Sequence, residues 1–276
     1  MEAAPSRHAH PTTIVVGVLL VADLGNSSTI LGLRASGGAI AHRWRLRTEA
    51  ARSPDELGVL LRALLAAVPG GPPAIEACCF ASVVPPQTGV LQEAVERHLQ
   101  VPARELRWGP ELGVRLEVDE PHQVGPDRVA NALAAHLAHP GPAIVVDLGT
   151  ATNFDVVGAD GAFLGGIIAP GVESGSATLT ARTALLPRVA LGFPESLIGK
   201  TTVANIQIGV YHGATVLVDG LVERIRAEWE PRARVIATGG FAARIGPRCR
   251  TVEVVDPDLT LKGLGWAHDR LFPHTV

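Results

Sequence analysis

The sequence is poor in the residues that mark several classes of protein. Lys200 and Lys262 are its only lysines, and the formal net charge is −3. That balance gives no electrostatic basis for binding nucleic acid or an acidic membrane surface. The longest apolar run, residues 14–22, is too short to cross a bilayer. The sequence therefore predicts neither a nucleic-acid partner nor a membrane-spanning segment.

Cysteine is also scarce. Cys78, Cys79 and Cys249 cannot all be paired within one chain, and none has the spacing of a metal ligand. Reduced thiols in a cytoplasmic protein are the simpler interpretation. Residues 1–13 show no apolar period, which predicts a disordered tail or an over-extended start, and no small-residue cleavage site of a secretory signal follows the apolar run.

Apolar residues, glycine and proline are abundant. Apolar residues make up 47% of the 276 positions and charged residues 18%, which is enough for one large domain or two lobes with buried cores. Most of the 30 glycines and 21 prolines fall between apolar runs. They therefore indicate turns between elements of regular structure.

The most informative feature is an internal duplication. Two acids, Asp23 and Asp147, each end an apolar strand and precede a glycine turn with small polar residues. The small residues after these acids are Gly25, Asn26, Ser27, Gly149, Thr150 and Thr152. In each copy a second strand, another glycine turn and a third strand follow, so each copy predicts a three-stranded β-meander.

Helical patterns follow both meanders. Residues 54–67 have apolar positions at helical spacing, with Ser53 as a plausible N-cap. Residues 129–137 and 203–227 predict two further helices, and residues 74–82 a buried strand.

This alternation of strands and helices within two similar halves predicts an α/β fold with two duplicated lobes. The first lobe is predicted at residues 14–125 and the second at residues 126–276, with a cleft between them.

Tight turns of this kind are suited to phosphate. Glycine lets the main chain approach closely, and backbone N–H groups and small hydroxyls bind phosphate oxygens. A carboxylate at a strand end can hold Mg²⁺ directly or through water. A third glycine motif, Gly239-Gly240, follows a short apolar strand. Each turn alone is more often an ordinary hairpin, but all three in this order indicate a phosphotransferase cleft.

Asp127 and Arg128 stand side by side after Gly125, at the start of a predicted helix. The acid could orient or deprotonate an attacking hydroxyl, and the arginine could offset charge on the transferred group. Taken alone, an aspartate in a first helical turn is an ordinary helix start.

These residues together resemble the ordered motifs of the type III pantothenate kinase family. The matching segments are Asp23-Leu-Gly-Asn26, Ser82-Val-Val-Pro85, Gly125-Pro-Asp127-Arg128, Asp147-Leu-Gly-Thr-Ala-Thr152, Gly165-Gly166-Ile-Ile-Ala-Pro170-Gly171, Ile198-Gly199-Lys-Thr-Thr202 and Asp258-Leu-Thr260-Leu-Lys-Gly263-Leu. The resemblance implies two duplicated actin-like (ribonuclease H-like) lobes around a nucleotide cleft, in the actin/hexokinase-like ATPase superfamily. It also implies ATP-dependent phosphorylation of pantothenate to 4'-phosphopantothenate, the first step of coenzyme A biosynthesis.

The resemblance further implies roles for single residues. Asp127 would be the base for the pantothenate hydroxyl, and Arg128 would hold substrate or phosphate. Asp23 would lie near Mg²⁺, through water, and Asp147 at a site for a monovalent cation, K⁺ or NH₄⁺. The residues implied to bind ATP or its phosphates are Asp23, Gly25, Asn26, Ser27, Gly149, Thr150, Thr152, Gly239 and Gly240. The residues implied to bind pantothenate are Gly125, Asp127, Arg128, Gly166 and Thr202.

The resemblance also implies a homodimer. Thr202 would reach the pantothenate pocket across the interface, and the long helix after it would be the dimerisation element. An internal core helix fits the apolar pattern of that segment equally well.

The sequence departs from the family pattern at several positions. Val118 replaces a tyrosine that contacts substrate in many members, and Ser27, Asn153, Thr201 and Ile208 differ from the usual residues. None of these changes removes an acid. Two alternatives stay open, a non-catalytic regulatory or accessory protein of the same fold and a kinase for another small alcohol, while the retained acids favour the pantothenate kinase.

Overall fold

The computed structural model describes residues 17–35, 37–181, 186–187, 189–190 and 192–273. The predicted tail at residues 1–13 lies outside these ranges, as do residues 14–16 of the apolar run and Ser36 of the first meander. Among the described helices, none combines the length and apolar character needed to span a membrane.

Two five-stranded sheets form the framework. The first has the order β3-β2-β1-β4-β5, with strands β1 (Val18–Leu24), β2 (Ser28–Arg34), β3 (Ile40–Arg47), β4 (Ile75–Ser82) and β5 (Ala103–Glu105). The second has the order β10-β9-β6-β7-β8, with strands β6 (Ala143–Leu148), β7 (Ala151–Val157), β8 (Phe163–Pro170), β9 (Arg234–Thr238) and β10 (Val254–Val255).

The two sheets repeat one pairing pattern. The central strand, β1 or β6, pairs antiparallel with the next strand of its meander and parallel with a later strand, β4 or β9. Asp23 lies opposite Ile30 and Asp147 opposite Asn153, so each acid is the second-last residue of its central strand. The predicted duplication is confirmed.

Seven helices lie on these sheets in the described part of the chain. They are α1 (Pro54–Ala66), α2 (Pro85–His98), α3 (Pro126–Ala138), α4 (Val172–Ala181), α5 (Thr202–Glu228), α6 (Ala242–Ile245) and α7 (Leu259–Leu271). The predicted cap of α1 is confirmed, since the Ser53 side chain accepts from the Glu56 N–H in a capping box. Pro85 and Pro86 open α2, since a proline in the first helical turn loses no intrahelical hydrogen bond.

Helices α3 and α7 pack together and connect the two sheets. Helix α3 contacts β4, β6 and β7, while α7 contacts β1, β2 and β4. The helices approach closely at Gly263, where an added Cβ would lie 2.0 Å from the Ala130 carbonyl oxygen. The last helix of the chain therefore packs on the first sheet, and the lobe limits 14–125 and 126–276 remain predictions.

Candidate active site

A single cleft collects most of the predicted nucleotide-binding residues of both sheets. Asp23, Asp127 and Asp147 all line it. Other predicted residues that line it are Gly25, Asn26, Gly149, Thr150, Gly239 and Gly240. The strand ends that carry Asp23 and Asp147 therefore face one space, as period-2 side-chain direction in equivalent strands requires.

The two glycine turns meet across this cleft. The Gly25 N–H donates to the Ser28 carbonyl at 3.1 Å, and the Gly149 N–H donates to the Ala151 carbonyl at 2.9 Å. The second turn is one residue shorter than the first. The Thr150 hydroxyl donates to Ser27 Oγ at 3.0 Å. The two turns are therefore in contact through their hydroxyl groups.

The third glycine motif, Gly239-Gly240, lies next to the carboxylate of Asp147. Gly239 has φ +90°, a conformation that favours glycine. A Cβ added there would lie 2.3 Å from Asp147 Oδ1. Gly239 is therefore required both by its backbone conformation and by the carboxylate beside it.

The three cleft acids share an unfavourable environment for negative charge. Burial raises the pKa of Asp23 well above its usual range, and the charges of Asp127 and Asp147 raise it further against the opposing effect of Arg43. Burial, with the charge of Asp127, raises the pKa of Asp147 to about 6. Burial also raises the pKa of Asp127, while the backbone N–H and the charge of Arg128 oppose this. A bound cation would relieve the repulsion among these carboxylates.

This environment fits a cation held partly by its substrate. In the described residues, no group of three or more His, Cys, Asp or Glu side chains is spaced to enclose a metal ion. Mg²⁺ commonly keeps several waters and binds through one or two carboxylates plus substrate phosphates. Asp127 Oδ1 is buried without a hydrogen-bond partner in the described structure, so one cleft carboxylate oxygen is free to accept a proton or a ligand.

Two buried side chains orient Asp147, and the sequence pattern assigned them no role. Asn131 Nδ2 donates to Asp147 Oδ2 at 3.3 Å, and the Thr260 hydroxyl donates to Asn131 Oδ1 at 2.7 Å. Thr260 lies in a segment that resembles a family motif, whereas Asn131 lies three residues beyond one. Helices α3 and α7 are therefore joined by a hydrogen bond beside Asp147, in addition to their packing in the core.

Two arginines of β3 supply positive charge that the sequence analysis also missed. Arg43 and Arg45 both line the cleft. Arg45 Nε donates to Ser28 Oγ at 2.9 Å, and Arg43 pairs with Asp258 at 3.5 Å. Their spacing of two residues in a strand was the signal, because it places both side chains on one face of the sheet.

The predicted acceptor-binding residues form a neighbouring group. Arg128 Nε donates to Asp155 Oδ1 at 2.6 Å. A Cβ added at Gly166 would lie 2.6 Å from Arg128 Nη2, and one added at Gly125 would lie 2.4 Å from Asp127 Oδ1. Gly125, Asp127, Arg128 and Gly166 thus lie close together.

Three other residues were singled out in the sequence, namely Val118, Thr152 and Thr202. Val118 lies next to Gly165, whose added Cβ would be 3.9 Å from Val118 Cγ1. Thr152 is buried within β7, with its hydroxyl 3.4 Å from the Pro170 carbonyl oxygen, rather than in the turn. Thr202 is the exposed first residue of α5, and no hydrogen bond or ion pair given for the described residues joins it to the cleft.

Comparisons with known proteins match the chain to the same family that its sequence motifs resemble. The model of a family described as type III pantothenate kinase matches residues 19–224. A type III pantothenate kinase of Rhizorhabdus wittichii is 43% identical over 92% of this chain and 98% of its own length. One from Acidothermus cellulolyticus is 43% identical over 93% of this chain and 100% of its own length.

A solved structure supports the fold. It belongs to a protein from Sinorhizobium meliloti described as a 2-dehydro-3-deoxygalactonokinase, and it covers 94% of this chain and 98% of that chain. The identity is 13% and the TM-score 0.60, so this likeness concerns the fold alone. The predicted α/β fold of two duplicated lobes is confirmed.

Proposed function

Because this chain belongs to the type III pantothenate kinase family, we propose that its cleft transfers the γ-phosphoryl group of ATP to the terminal hydroxyl of pantothenate. The product is 4'-phosphopantothenate, and the reaction is the first step of coenzyme A biosynthesis. The observation that carries the proposal is the convergence of Asp23, Asp127 and Asp147 with both glycine turns on one cleft.

The nucleotide side would be built from the two turns and β3. Backbone N–H groups and the hydroxyls of Ser27 and Thr150 would bind phosphate oxygens, and Arg43 and Arg45 would offset their charge. Gly239 and Gly240 would take the adenosine. Preorganised donors of this kind stabilise charge that develops during phosphoryl transfer without reorganising at the moment of reaction.

Asp127 would act on the acceptor hydroxyl. Its Oδ1 is buried and has no hydrogen-bond partner in the described residues, so it can accept the hydroxyl proton. Its raised pKa brings this carboxyl closer to working pH, where a general base is most effective. No acid expected from the family motifs is missing, which argues against a non-catalytic accessory protein.

Two kinds of cation fit the acids. Asp23 would hold Mg²⁺ through water together with ATP, and Asp147 would hold K⁺ or NH₄⁺. When bound, these ions neutralise charge on the phosphates and the carboxylates. The fit rests on the convergence of Asp23 and Asp147 on one cleft, where burial first and neighbouring carboxylates second raise the pKa of both groups.

A homodimer completes the proposal. Helix α5 buries Tyr211, Val218 and Val222 against the second sheet, yet it also exposes Val203 and Val216. The nearby segments expose Ile168, Leu197 and Ile198, with Ile198 78% exposed. Exposed apolar side chains in such number favour a protein interface. A second copy would cover them and bring its Thr202 to the acceptor pocket.

The proposed function is tested by a coupled assay of ADP release with pantothenate and a panel of related small alcohols, each with and without K⁺. We expect turnover with pantothenate to exceed turnover with every other alcohol. Preference for another alcohol would identify a different acceptor, for which Val118 beside Gly165 is the first residue to examine. Absence of turnover with the whole panel would favour the accessory-protein alternative.

A further inference from the structure

Arg128 does not pair with its neighbour in the sequence. Asp127 and Arg128 are consecutive residues in the first turn of α3, and consecutive helical side chains do not face each other. Arg128 Nε contacts Asp155 Oδ1 at 2.6 Å, on the middle of β7. Asp127 Oδ1 remains without a hydrogen-bond partner in the described structure.

Asp155 is fully buried, and no role was assigned to it from the sequence. Its side chain is 0% exposed, while that of Arg128 is 15% exposed. A buried carboxylate is costly unless a partner compensates its charge. Burial raises the pKa of Asp155 to about 7, and the adjacent guanidinium opposes that rise. Such a residue in a strand interior needs a reason beyond packing, because an apolar side chain would avoid this cost.

The ion pair fixes the direction of the guanidinium. One edge is held by Asp155, and the guanidinium carbon lies 5.1 Å from the centre of the Phe163 ring. The Nη2 end lies against Gly166, where an added Cβ would be only 2.6 Å away. Nη2 is buried and has no hydrogen-bond partner among the described residues. An oriented donor therefore faces the strand that carries the predicted pantothenate pocket.

The direction of Arg128 favours one of its two candidate uses. Its Nη2 lies against Gly166 of the predicted pantothenate pocket, whereas Arg43 and Arg45 supply positive charge in the cleft lined by the glycine turns. Arg128 is therefore better placed to hold substrate than to hold phosphate.

We propose that Asp155 is a positioning residue that holds the Arg128 guanidinium against Gly166, so that Arg128 binds the acceptor alcohol. This inference rests on the proposed function, since it assumes that Asp127 and Gly166 face the acceptor. Without the Asp155 carboxylate, the guanidinium would lose the ion pair that fixes its direction. The acceptor would then lose an oriented donor.

The test compares Asp155→Asn, Asp155→Glu and Arg128→Gln, with the double variant Arg128→Gln/Asp155→Asn. The matched control is Asp55→Asn, which removes a carboxylate from a surface ion pair on α1. Steady-state kinetics with ATP and pantothenate give the KM for each substrate separately. Thermal unfolding shows whether each variant is folded.

For Asp155→Asn we expect the KM for pantothenate to rise about 10- to 100-fold, the range of one charge-assisted hydrogen bond. The KM for ATP should stay near that of the wild type, and Asp155→Glu, which keeps the charge, should have the smaller effect. In the Arg128→Gln background, Asp155→Asn should add no further rise, because the two residues act as one unit.

If the wild-type protein turns over pantothenate, any one of three results would overturn the inference. These are an unchanged KM for pantothenate in Asp155→Asn, a rise in the KM for ATP instead, or additive effects in the double variant. If Asp155→Asn does not fold, the comparison of Arg128→Gln with the charge-free double variant and with Asp155→Glu still decides between these outcomes. A wild-type protein without pantothenate turnover would instead refute the proposed function itself, and the inference with it.

Discussion

The hydroxyls of Thr150 and Ser27 lie 3.0 Å apart, although the two residues are separated by 123 positions in the chain. Each hydroxyl belongs to the glycine turn that follows one of the duplicated central strands. A hydroxyl can rotate to bond a different partner. Both can therefore turn from each other to the same phosphoryl group when ATP binds.

We predict that Ser27→Ala and Thr150→Val each raise the KM for ATP by about 10-fold, because each removes one hydrogen bond to a charged oxygen. The KM for pantothenate should change little. Thr178→Val, on the exposed surface of α4, is the matched control. Nucleotide affinity measured by calorimetry should follow the same order, and unchanged affinity in both variants would contradict the predicted phosphate turns.

Asp127→Asn should lower kcat by about 10²- to 10⁴-fold, the usual contribution of general-base catalysis, because the amide cannot take the acceptor proton. Binding of ATP should remain close to that of the wild type. Asp119→Asn, in the exposed segment before α3, makes the same chemical change away from the cleft and should be neutral. A variant at position 127 that kept most of its turnover would show that the base lies elsewhere.

Asp147 should make the enzyme dependent on a monovalent cation. We expect wild-type activity in K⁺ or NH₄⁺ and little activity in Na⁺ alone, as the resemblance of the Asp147 motif to the family implies. Asp147→Ala should be poorly active in every salt. Initial rates at constant ionic strength measure this, and full wild-type activity in Na⁺ would remove the cation site from the proposal.

Asp147 should also reduce the stability of the ligand-free protein at neutral pH. Its pKa is raised from 3.8 to about 6, so the folded state binds the proton more tightly than the unfolded state. The stability from this group is present below pH 4 and is lost as the pH rises to about 6, by up to about 3 kcal/mol.

The corresponding experiment is thermal unfolding of the wild type and Asp147→Asn without ligands. We expect Asp147→Asn to be the more stable protein at pH 7.5, and the difference to disappear near pH 4, where the wild-type carboxyl is protonated. Asp119→Asn should show no such pH-dependent gain. A variant less stable than the wild type at pH 7.5 would show that the carboxylate is compensated in the folded state.

Much of the site followed from local sequence. The strand before Asp23 or Asp147, the acid itself and the glycine turn after it are contiguous, so period-2 alternation and turn chemistry are enough to align the two copies. The helix start that carries Asp127 was predicted within a few residues, because its capping region is also local. Family membership rested on the order of such local motifs.

Some residues of the site could not be found in that way. The spacing of Arg43 and Arg45 places both side chains on one face of β3, but which face lines the cleft depends on how the first sheet packs. Thr260 reaches Asn131 because α7 packs against α3, and no local period or turn signal connects two residues so distant in the chain.

The sequence by itself determined the duplicated α/β architecture, the family, and which acids and glycines could serve a phosphotransferase. Only the tertiary structure decided that Arg128 pairs with Asp155 rather than with Asp127, and that Asn131 and Thr260 orient Asp147. The physical reason is that covalent neighbours set strand direction and turn type, whereas the partner of a buried charge is set by which elements pack against it. That choice depends on sheet register and helix packing over the whole chain.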